Sequence, residues 1–341
     1  MLPLPELVEP GVIDTLASRA RGFLLAAQDA RGAWRDFFLP AGESDCWVTA
    51  YVAFAMAQSG DAEALAAARR GWAFLETAIK TDGGWGYNAL TPADADSSLW
   101  ALRLAEVLGA GDSDAAVRGR AFLATHRRLG GGITTYATAN GPRGYVGLPP
   151  SVDFSAWTAP HLCVSAAAAG LAGVRDQALV DYLAAHQAAD GHWPSYWWFD
   201  PGYATAEAVE AAGPGEARDR AVAFAEARLR DLRVGPPAFG VAHVLRVLAV
   251  DGSPLIDEAL ALLAATQADN GSWPASARLR VPAPDCAAPA DDAPWKPWHG
   301  LRAMPTTLDE VMDMTFTITS LDHRRAFTTA TVLRALTAVC A

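Results

Sequence analysis

The sequence of 341 residues has few charged side chains, 19% of the total, and no run of Lys or Arg. Its 38 acidic residues outnumber its 27 basic residues, which gives a net charge of −11. A protein that binds nucleic acid needs clustered basic side chains to neutralise phosphate groups. The composition therefore predicts no nucleic-acid partner.

Cysteine is scarce, and the cysteines are far apart, without the paired spacing of a metal-binding motif. This pattern excludes a disulfide framework and a four-thiolate metal site, and it is typical of a reducing compartment. The four cysteines are Cys46, Cys163, Cys286 and Cys340.

Long apolar runs are also lacking. The longest alanine-rich run, residues 163–173, is much shorter than the about 20 apolar residues that a membrane span needs. Residues 1–6 lack the basic start and the apolar stretch of an export signal. We expect a soluble, cytoplasmic protein without a membrane span.

No stretch alternates between apolar and polar residues for long enough to predict a strand. Apolar residues instead recur at helical spacing, as in Leu99, Leu102 and Ala105. Because this spacing places apolar side chains on one face of a helix, the sequence predicts an all-α protein.

One pattern recurs along the chain: a helix, a turn with glycines and, in most copies, an aromatic residue, and a second, more apolar helix. Six such hairpins are expected, of which the fifth lacks the turn signature. The apolar helices are expected to form an inner ring and the amphipathic helices an outer ring. The sequence therefore predicts a single (α/α)6 toroid over residues 1–341, with a Pro-rich insertion at about 274–325 before the last helix. We expect tryptophans in four turns to brace them from outside: Trp34, Trp85, Trp193 and Trp273.

Two carboxyl groups stand one residue apart at one turn, Asp94 and Asp96, directly before a helix. Aspartate is a good N-cap, but both cannot cap the same helix, so one of them needs another role. Asp45 and Asp153 precede other inner helices, and we expect them to be caps or solvated residues of the rim.

The Gln/Asp-x-x-Gly-x-Trp turns, and above all Gly191-His192-Trp193 with Tyr203-Ala204-Thr205, resemble a known family of repeats. They look like the repeats of squalene and oxidosqualene cyclases, class II diterpene cyclases and protein prenyltransferase β-subunits. The class II cyclases use an Asp-x-Asp-Asp motif whose middle acid protonates an alkene or an epoxide. Asp94-Ala95-Asp96-Ser97 matches its first and middle positions. The resemblance implies that Asp96 is the proton donor, tuned by Asp94 and Ser97.

An acid with this role must be protonated at pH 7, so its pKa must rise by about 3 units, equivalent to about 4 kcal/mol. Burial beside a second carboxyl group can supply this rise. A helix N-terminus opposes it by roughly 0.3–1 kcal/mol.

A carbocation also needs a wall that does not quench it, and aromatic faces stabilise cations without offering a lone pair. Seven aromatic residues near the starts of inner helices are candidates for this wall, the alternative being that they only pack. His243, on a predicted inner helix, is a candidate for reprotonating the acid, or a buried core residue. The candidates are Trp47, Trp100, Trp157, Trp197, Trp198, Tyr203 and Phe327.

The resemblance also bears on metals. Prenyltransferase relatives hold zinc with an Asp, a Cys two residues later and a distant His, whereas here Asp153 is followed two residues later by Ser155. The last inner helix opens on Ala326-Phe327-Thr328, without a histidine, so we expect neither zinc nor protein prenylation, although His161 lies close to Cys163.

The segment Asp309-Glu310-Val311-Met312-Asp313 resembles a magnesium box, but we expect a solvated helix face. No cofactor is expected, except Mg²⁺ if the substrate carries a diphosphate. The insertion, with Trp295, Trp298 and His299, is a candidate lid.

The leading hypothesis is a class II terpene or meroterpenoid cyclase that acts on a small apolar isoprenoid. Its site would be closed by the insertion, by a second copy in a homodimer, or by a partner. A carbohydrate hydrolase or lyase would need carboxyl groups about 5–9.5 Å apart, such as Asp96 with Asp45 or Asp153 across the ring. A non-catalytic toroid that binds an apolar ligand or a partner is the third possibility. A dry aromatic cavity favours the cyclase, and a polar trough the hydrolase.

Overall fold

The structure is a computed structural model that describes residues 11–235, 237–289, 296–297 and 318–340, of which 296 and 297 are described by their backbone alone. Within these ranges the chain forms thirteen helices and seven short strands. The candidate lid residues Trp295, Trp298 and His299 and the segment from Asp309 to Asp313 lie outside the described residues. The prediction that all of 1–341 forms one domain extends beyond them and stays a prediction.

Outer and inner helices alternate along the chain. The outer helices are α1 (Val12–Ala27), α3 (Ala62–Ala78), α5 (Asp114–Ala124), α8 (Gln177–Ala185), α10 (Glu216–Asp231) and α12 (Ile256–Thr266). The inner helices are α2 (Cys46–Gln58), α4 (Ala95–Val107), α7 (Leu162–Ala168), α9 (Gly202–Ala212), α11 (Ala238–Ala249) and α13 (Ala326–Val339). A further short helix, α6 (Asn140–Val146), lies in the loop between α5 and α7.

Burial distinguishes the two sets of helices. In α2 every residue from Cys46 to Met56 is buried, whereas α1 buries only one face, with Leu16, Ala20 and Leu24 among its contacts. A helix that is apolar all round must be surrounded by protein, and an amphipathic helix packs with one face outward. The predicted all-α toroid of six hairpins is confirmed.

In four of the six hairpins, a turn tryptophan holds the hairpin together in the same way. Each is fully buried and donates its indole N–H to the carbonyl of a leucine ten residues earlier, on the preceding outer helix. The predicted bracing role is confirmed. The pairs are Trp34 with Leu24 (2.7 Å), Trp85 with Leu75 (2.8 Å), Trp193 with Leu183 (2.7 Å) and Trp273 with Leu263 (2.8 Å).

The last hairpin packs on the first and closes the ring. Gln267 donates from Nε2 to the carbonyl of Leu16 (3.1 Å), and Arg19 donates to the carbonyl of Ala268 (2.9 Å). Gly271 lies between them with φ +86°, and a Cβ there would stand 2.1 Å from the Arg19 carbonyl oxygen. Only glycine fits this turn, because the chain needs both the left-handed conformation and the close approach.

Small sheets form the rim at the end of the ring where the inner helices begin. Strand β1 (Asp36–Leu39) pairs with β2 (Gly42–Ser44), and β3 (Trp85–Gly86) pairs with β4 (Ala93–Asp94), both antiparallel. A third sheet has the order β5 (Arg278–Val281), β7 (Ile318–Leu321), β6 (Lys296–Pro297), with β5 antiparallel and β6 parallel to β7. Strands of two to four residues are too short to show a period of two, so the sequence did not predict them.

Candidate active site

A cavity of about 200 Å³ opens at the rim, among β1, α6, β5, β7 and the start of α4. Its wall is mainly aliphatic and aromatic, and the charged side chains that the described residues contribute to it are Asp94 and Asp96. The aliphatic and proline residues of the wall are Leu39, Pro40, Ala41, Pro92, Pro142, Val146, Leu148, Leu279, Val281, Pro284 and Ile318. The site is therefore a largely apolar cup with a pair of acids.

Five of the predicted site residues lie on the cavity wall: Asp94, Asp96, Trp47, Trp157 and Trp197. The other five lie in the packed interior of the ring, with at most 1% of their surface exposed: Trp100, Trp198, Tyr203, His243 and Phe327. The structure therefore separates a wall from an aromatic layer packed inside the ring.

The interior is layered because residues three or four apart stack along one face of a helix. On α4, Asp96 is followed by Trp100 and then by Arg103. The indole of Trp100 donates to the hydroxyl of Tyr203 (3.1 Å), and the guanidinium carbons of Arg103 and Arg334 lie 4.5 and 4.9 Å from its ring centre. Trp100 thus already contacts two cations within the protein.

A buried ionic cluster forms the innermost layer, and sequence reasoning missed it. Glu207 on α9 accepts hydrogen bonds from Arg103 (2.6 Å), Arg246 (2.7 Å) and Arg334 (2.9 Å), which come from three other inner helices. Burial alone would raise the pKa of Glu207, but the three guanidinium groups hold it well below its ordinary value. The available signal was a charged residue within each of these largely apolar inner helices.

Asp94 is the N-cap of α4. Its Oδ1 accepts from the backbone N–H of Ser97 (2.7 Å), and its Oδ2 accepts from the Ser97 hydroxyl (2.8 Å). Burial raises the pKa of Asp94 to about 6, although the two hydrogen bonds from Ser97 oppose the rise. The expectation that one acid of the pair caps the helix is confirmed.

Asp96 has a different environment. Its Oδ1 is buried and has no hydrogen-bond partner among the described residues. Burial raises the pKa of Asp96 well above its ordinary value, and the carboxyl groups of Asp94 and Glu207 add to the rise. The indoles of Trp47 and Trp100 oppose it. The two environments push the pKa values of the two acids apart, and Asp94 is the one that ionises more readily.

The indole N–H of Trp47 is available to donate a hydrogen bond to Asp96. Its Nε1 is buried and has no partner in the described part of the chain, whereas the N–H of Trp100 is donated to Tyr203. A buried N–H without an acceptor is costly unless a charge appears beside it. Trp47 can therefore stabilise the carboxylate that Asp96 becomes when its proton leaves.

Three aromatic rings form one corner of the cavity. Trp157 meets Trp197 edge to face with ring centres 5.8 Å apart, and Tyr136 stacks on Trp157 at 6.0 Å. Aromatic faces attract cations without a lone pair that could capture them. Tyr136, Tyr145 and Thr135 belong to the wall, and the sequence did not point to them. Their signal was the long loop between α5 and α7, since long loops in compact proteins are often functional.

His243 is fully buried, with neither ring nitrogen hydrogen-bonded to a described residue. Its ring packs edge to face on Phe239 (4.5 Å) and Tyr203 (5.6 Å). Burial lowers its pKa well below the ordinary value, and Arg246 lowers it further. His243 is therefore neutral, and its role in reprotonating the acid stays a prediction.

The other rim acids do not reach the cavity. Asp153 is exposed and accepts from the backbone N–H of Ser155 (2.8 Å), and Asp45 precedes α2 without capping it. Neither belongs to the wall, so neither acid that the hydrolase alternative names stands opposite Asp96 in the described part of the cavity.

Within the described ranges, no group of three or more His, Cys, Asp and Glu side chains is placed to hold a metal ion. His161 is instead hydrogen-bonded to Thr135 (2.7 Å) and to the carbonyl of Ala156 (2.9 Å). None of the helices within these ranges combines the length and the apolarity of a membrane span.

A toroid with an acid pair on the wall of a largely apolar, aromatic cavity has the features of an acid-initiated terpene cyclase. Type II terpene cyclase MstE from Scytonema, solved as an Arg→Ala variant with its substrate geranylgeranyl dihydroxybenzoate, is 34% identical, with a TM-score of 0.85. The alignment covers 96% of this chain and 97% of that chain. An Asp→Ala variant of MstE in complex with the product merosterolic acid A is similar at 33% identity and a TM-score of 0.84.

Two further structures place this match in context. A protein from Actinoplanes is 34% identical, with a TM-score of 0.85, and the match covers 96% of this chain and all of that chain. ent-Copalyl diphosphate synthase from Streptomyces platensis, at 20% identity and a TM-score of 0.55, shares the fold over 86% of this chain and 50% of its own. No protein-family model and no curated protein matches the chain. The chain belongs to the type II terpene cyclases, and it is an enzyme of the isomerase type that cyclises by protonation.

Proposed function

We propose that Asp96 is the general acid of this cyclase and that it protonates a terminal alkene or epoxide of an isoprenoid held in the cavity. The observation that carries the proposal is the state of the Asp96 carboxyl group. It lies on the cavity wall, its pKa is raised well above the ordinary value by desolvation and by the neighbouring Asp94 carboxyl group, and it has an oxygen without a hydrogen-bond partner among the described residues.

The reaction starts with transfer of the Asp96 proton to the substrate. With an alkene, the Asp96 O–H bond breaks, a C–H bond forms on the substrate, and the other carbon of the former double bond becomes a cation. With an epoxide, the proton goes to the ring oxygen, and the C–O bond that breaks leaves the cation on carbon. Later double bonds attack this cation in turn, and the last cation loses a proton, so that substrate and product are isomers. Asp96 is left as a carboxylate, which the free N–H of Trp47 stabilises. Its reprotonation completes the cycle.

We propose a prenylated aromatic acid or alcohol as the substrate class, by analogy with the geranylgeranyl dihydroxybenzoate bound to MstE. The apolar prenyl chain suits the aliphatic wall, and its end would lie at Asp96. An anionic head group would be repelled by ionised Asp94, so it would stay toward the mouth of the cavity. Proton transfer from a carboxylic acid needs no metal, and Mg²⁺ would matter only for a diphosphate substrate. A homodimer and a cytoplasmic location stay predictions.

The test uses the purified chain with geranylgeranyl dihydroxybenzoate, geranylgeranyl diphosphate and an epoxide of a prenylated aromatic. We expect the parent to release cyclic isomers and, in D₂O, to place one solvent deuterium on the carbon that accepts the proton. Asp96→Asn should lose at least about 10³-fold in turnover. Asp153→Asn, which changes an exposed acid outside the cavity, is the matched control and should match the parent. Equal turnover by Asp96→Asn would remove Asp96 from the mechanism, and EDTA should leave turnover of the benzoate unchanged.

A further inference from the structure

A chain of four hydrogen-bonded groups runs from the cavity wall into the core. Trp197 Nε1 lies 2.7 Å from Thr135 Oγ1, which lies 2.7 Å from Nδ1 of His161. Nε2 of His161 lies 2.9 Å from the carbonyl oxygen of Ala156. Thr135 and His161 are buried, and Trp197 is half-buried at the cavity.

The direction of every bond in this chain is determined. A carbonyl oxygen only accepts, so His161 must donate from Nε2 to Ala156, which leaves Nδ1 as an acceptor. Thr135 must therefore donate its hydroxyl proton to Nδ1. The indole N–H only donates, so it fills the remaining acceptor site of Thr135. Burial lowers the pKa of His161 to about 4, which keeps the ring neutral in this arrangement.

We infer that Thr135 and His161 are positioning residues that fix the orientation of the Trp197 ring at the cavity wall and so determine which cation the cyclase favours. This inference rests on the proposed function of the same site. Thr135 and His161 act on the reacting carbons only indirectly, because they hold the Trp197 ring that faces the cavity.

The surroundings of the chain make it rigid. The His161 ring stacks on Tyr196 with centres 4.0 Å apart and planes 13° from parallel. The carbonyl of Trp197 accepts from the backbone N–H of Arg280 (2.8 Å). Trp157, the neighbour of Trp197 in the aromatic corner, donates its own N–H to the carbonyl of Pro282 (3.0 Å). Because both indoles are held by their N–H groups, the two rings keep their edge-to-face arrangement.

The orientation of the Trp197 ring should affect the product ratio, because competing carbocations differ little in energy. Competing cations in a cyclisation differ in where their charge lies relative to an aromatic face. If the Trp197 N–H loses its acceptor, the half-buried ring turns toward another partner or toward the cavity. We expect the ratio of cyclic products to change by roughly two- to thirtyfold, the factor that corresponds to one cation–π contact.

The test compares three single substitutions. Thr135→Val removes the hydroxyl and keeps the shape, whereas Thr135→Ser keeps the hydroxyl. Thr134→Val is the matched control, because the adjacent Thr134 is also buried but its hydroxyl reaches only the carbonyl of His126 (3.3 Å) and it is not part of the wall. Each variant is labelled with ¹⁵N-tryptophan, and the Trp197 indole resonance is assigned by its loss in Trp197→Phe.

Thr135→Val should shift the Trp197 indole resonance and change the product ratio from geranylgeranyl dihydroxybenzoate, while Thr135→Ser and Thr134→Val should resemble the parent in both. His161→Phe should act as Thr135→Val does, and the double variant should add nothing, because both break one chain. An unmoved resonance or an unchanged product ratio in Thr135→Val would overturn the inference. The resonance is read without turnover, so failure of the positioning chain is distinguishable from failure of the proposed function, which Asp96→Asn reports.

Discussion

Ser97 holds Asp94 through two hydrogen bonds, one from its backbone N–H at 2.7 Å and one from its hydroxyl at 2.8 Å. The cyclase motif has an aspartate where this chain has Ser97. The hydrogen bonds of Ser97 go to Asp94, where they oppose the rise in its pKa, whereas Asp96 Oδ1 has no hydrogen-bond partner among the described residues. The substitution in the motif therefore separates the roles of the two acids.

The hydrogen bond from the Ser97 hydroxyl should lower the pKa of Asp94, and removing it tests this. Ser97→Ala removes one hydrogen bond to the Asp94 carboxylate, so we expect the pKa of Asp94 to rise from about 6 by about 1–2 units. A ¹³C-carboxyl titration measures this pKa. Ser155→Ala is the matched control, because Ser155 donates to exposed Asp153 in the same way (2.7 Å). There the shift should be much smaller, since water replaces the lost donor, and equal shifts at both sites would refute the account.

Activity should depend on pH through Asp96. The reactive form is the protonated acid, so turnover should persist while Asp94 ionises near pH 6 and should fall only as the pH rises through the higher pKa of Asp96. The two acids titrate as a pair, and the profile reports the pair. A pH–rate profile of kcat measures this. A loss of activity centred at or below pH 5 would contradict it.

Stability should depend on pH through Asp94. Its pKa in the folded protein, about 6, lies above the unfolded value of 3.8. Its contribution to stability is therefore fully present below about pH 4 and is lost as the pH rises through 6. Asp94→Asn cannot ionise, so its stability relative to the parent should increase between pH 4 and 7. Urea unfolding at a series of pH values measures the difference, and a constant difference would show that Asp94 has an ordinary pKa.

The free indole N–H of Trp47 predicts a change in acid strength. Trp47→Phe keeps an aromatic ring but removes the donor that faces Asp96, so the pKa of Asp96 should rise further and kcat should fall by about tenfold. Trp157→Phe is the control at the same wall, because its N–H is donated to Pro282. It should leave the upper pKa of the profile unchanged. Identical pH profiles for parent and Trp47→Phe would exclude this role.

The ionic cluster predicts a large effect on stability. Glu207→Gln leaves Arg103, Arg246 and Arg334 buried without their shared carboxylate, and we expect a loss of about 3–5 kcal/mol in the free energy of unfolding. Glu210→Gln is the control, since Glu210 is 40% exposed and, among the described residues, forms its ion pair with Arg246 alone. Its loss should stay within about 1 kcal/mol in urea unfolding. Similar losses in the free energy of unfolding for both variants would mean that the shared carboxylate of Glu207 has no special role in stability.

Much of the fold could be predicted because it depends on local, repeated signals. The Gly and Trp turns recur along the chain, and each turn packs in the same way, as Trp34 and Trp193 show. The acid pair could also be found from a local signal, because two aspartates one residue apart cannot both cap α4. Because the copies of a repeat fold alike and pack on their neighbours, recognising the repeat predicts the arrangement of the whole ring.

The wall of the cavity could not be predicted in the same way. Trp100 and Trp157 both lie near the start of an inner helix or in the loop before one, yet Trp100 packs inside the ring and Trp157 faces the cavity. Which side a residue faces depends on loop conformation and on partners far along the sequence, such as Pro282 for Trp157. The hydrogen bonds of Thr135 and the contacts of Glu207 also join distant segments.

The protonation state of Asp96 is the most direct test of the central claim, and infrared spectroscopy measures it. At pH 7 the parent spectrum minus the Asp96→Asn spectrum should show the C=O band of a protonated carboxylic acid. The band should remain when Asp94→Asn is the background. A difference spectrum that shows only carboxylate bands would mean that Asp96 is ionised, and acid-initiated cyclisation by this residue would be contradicted.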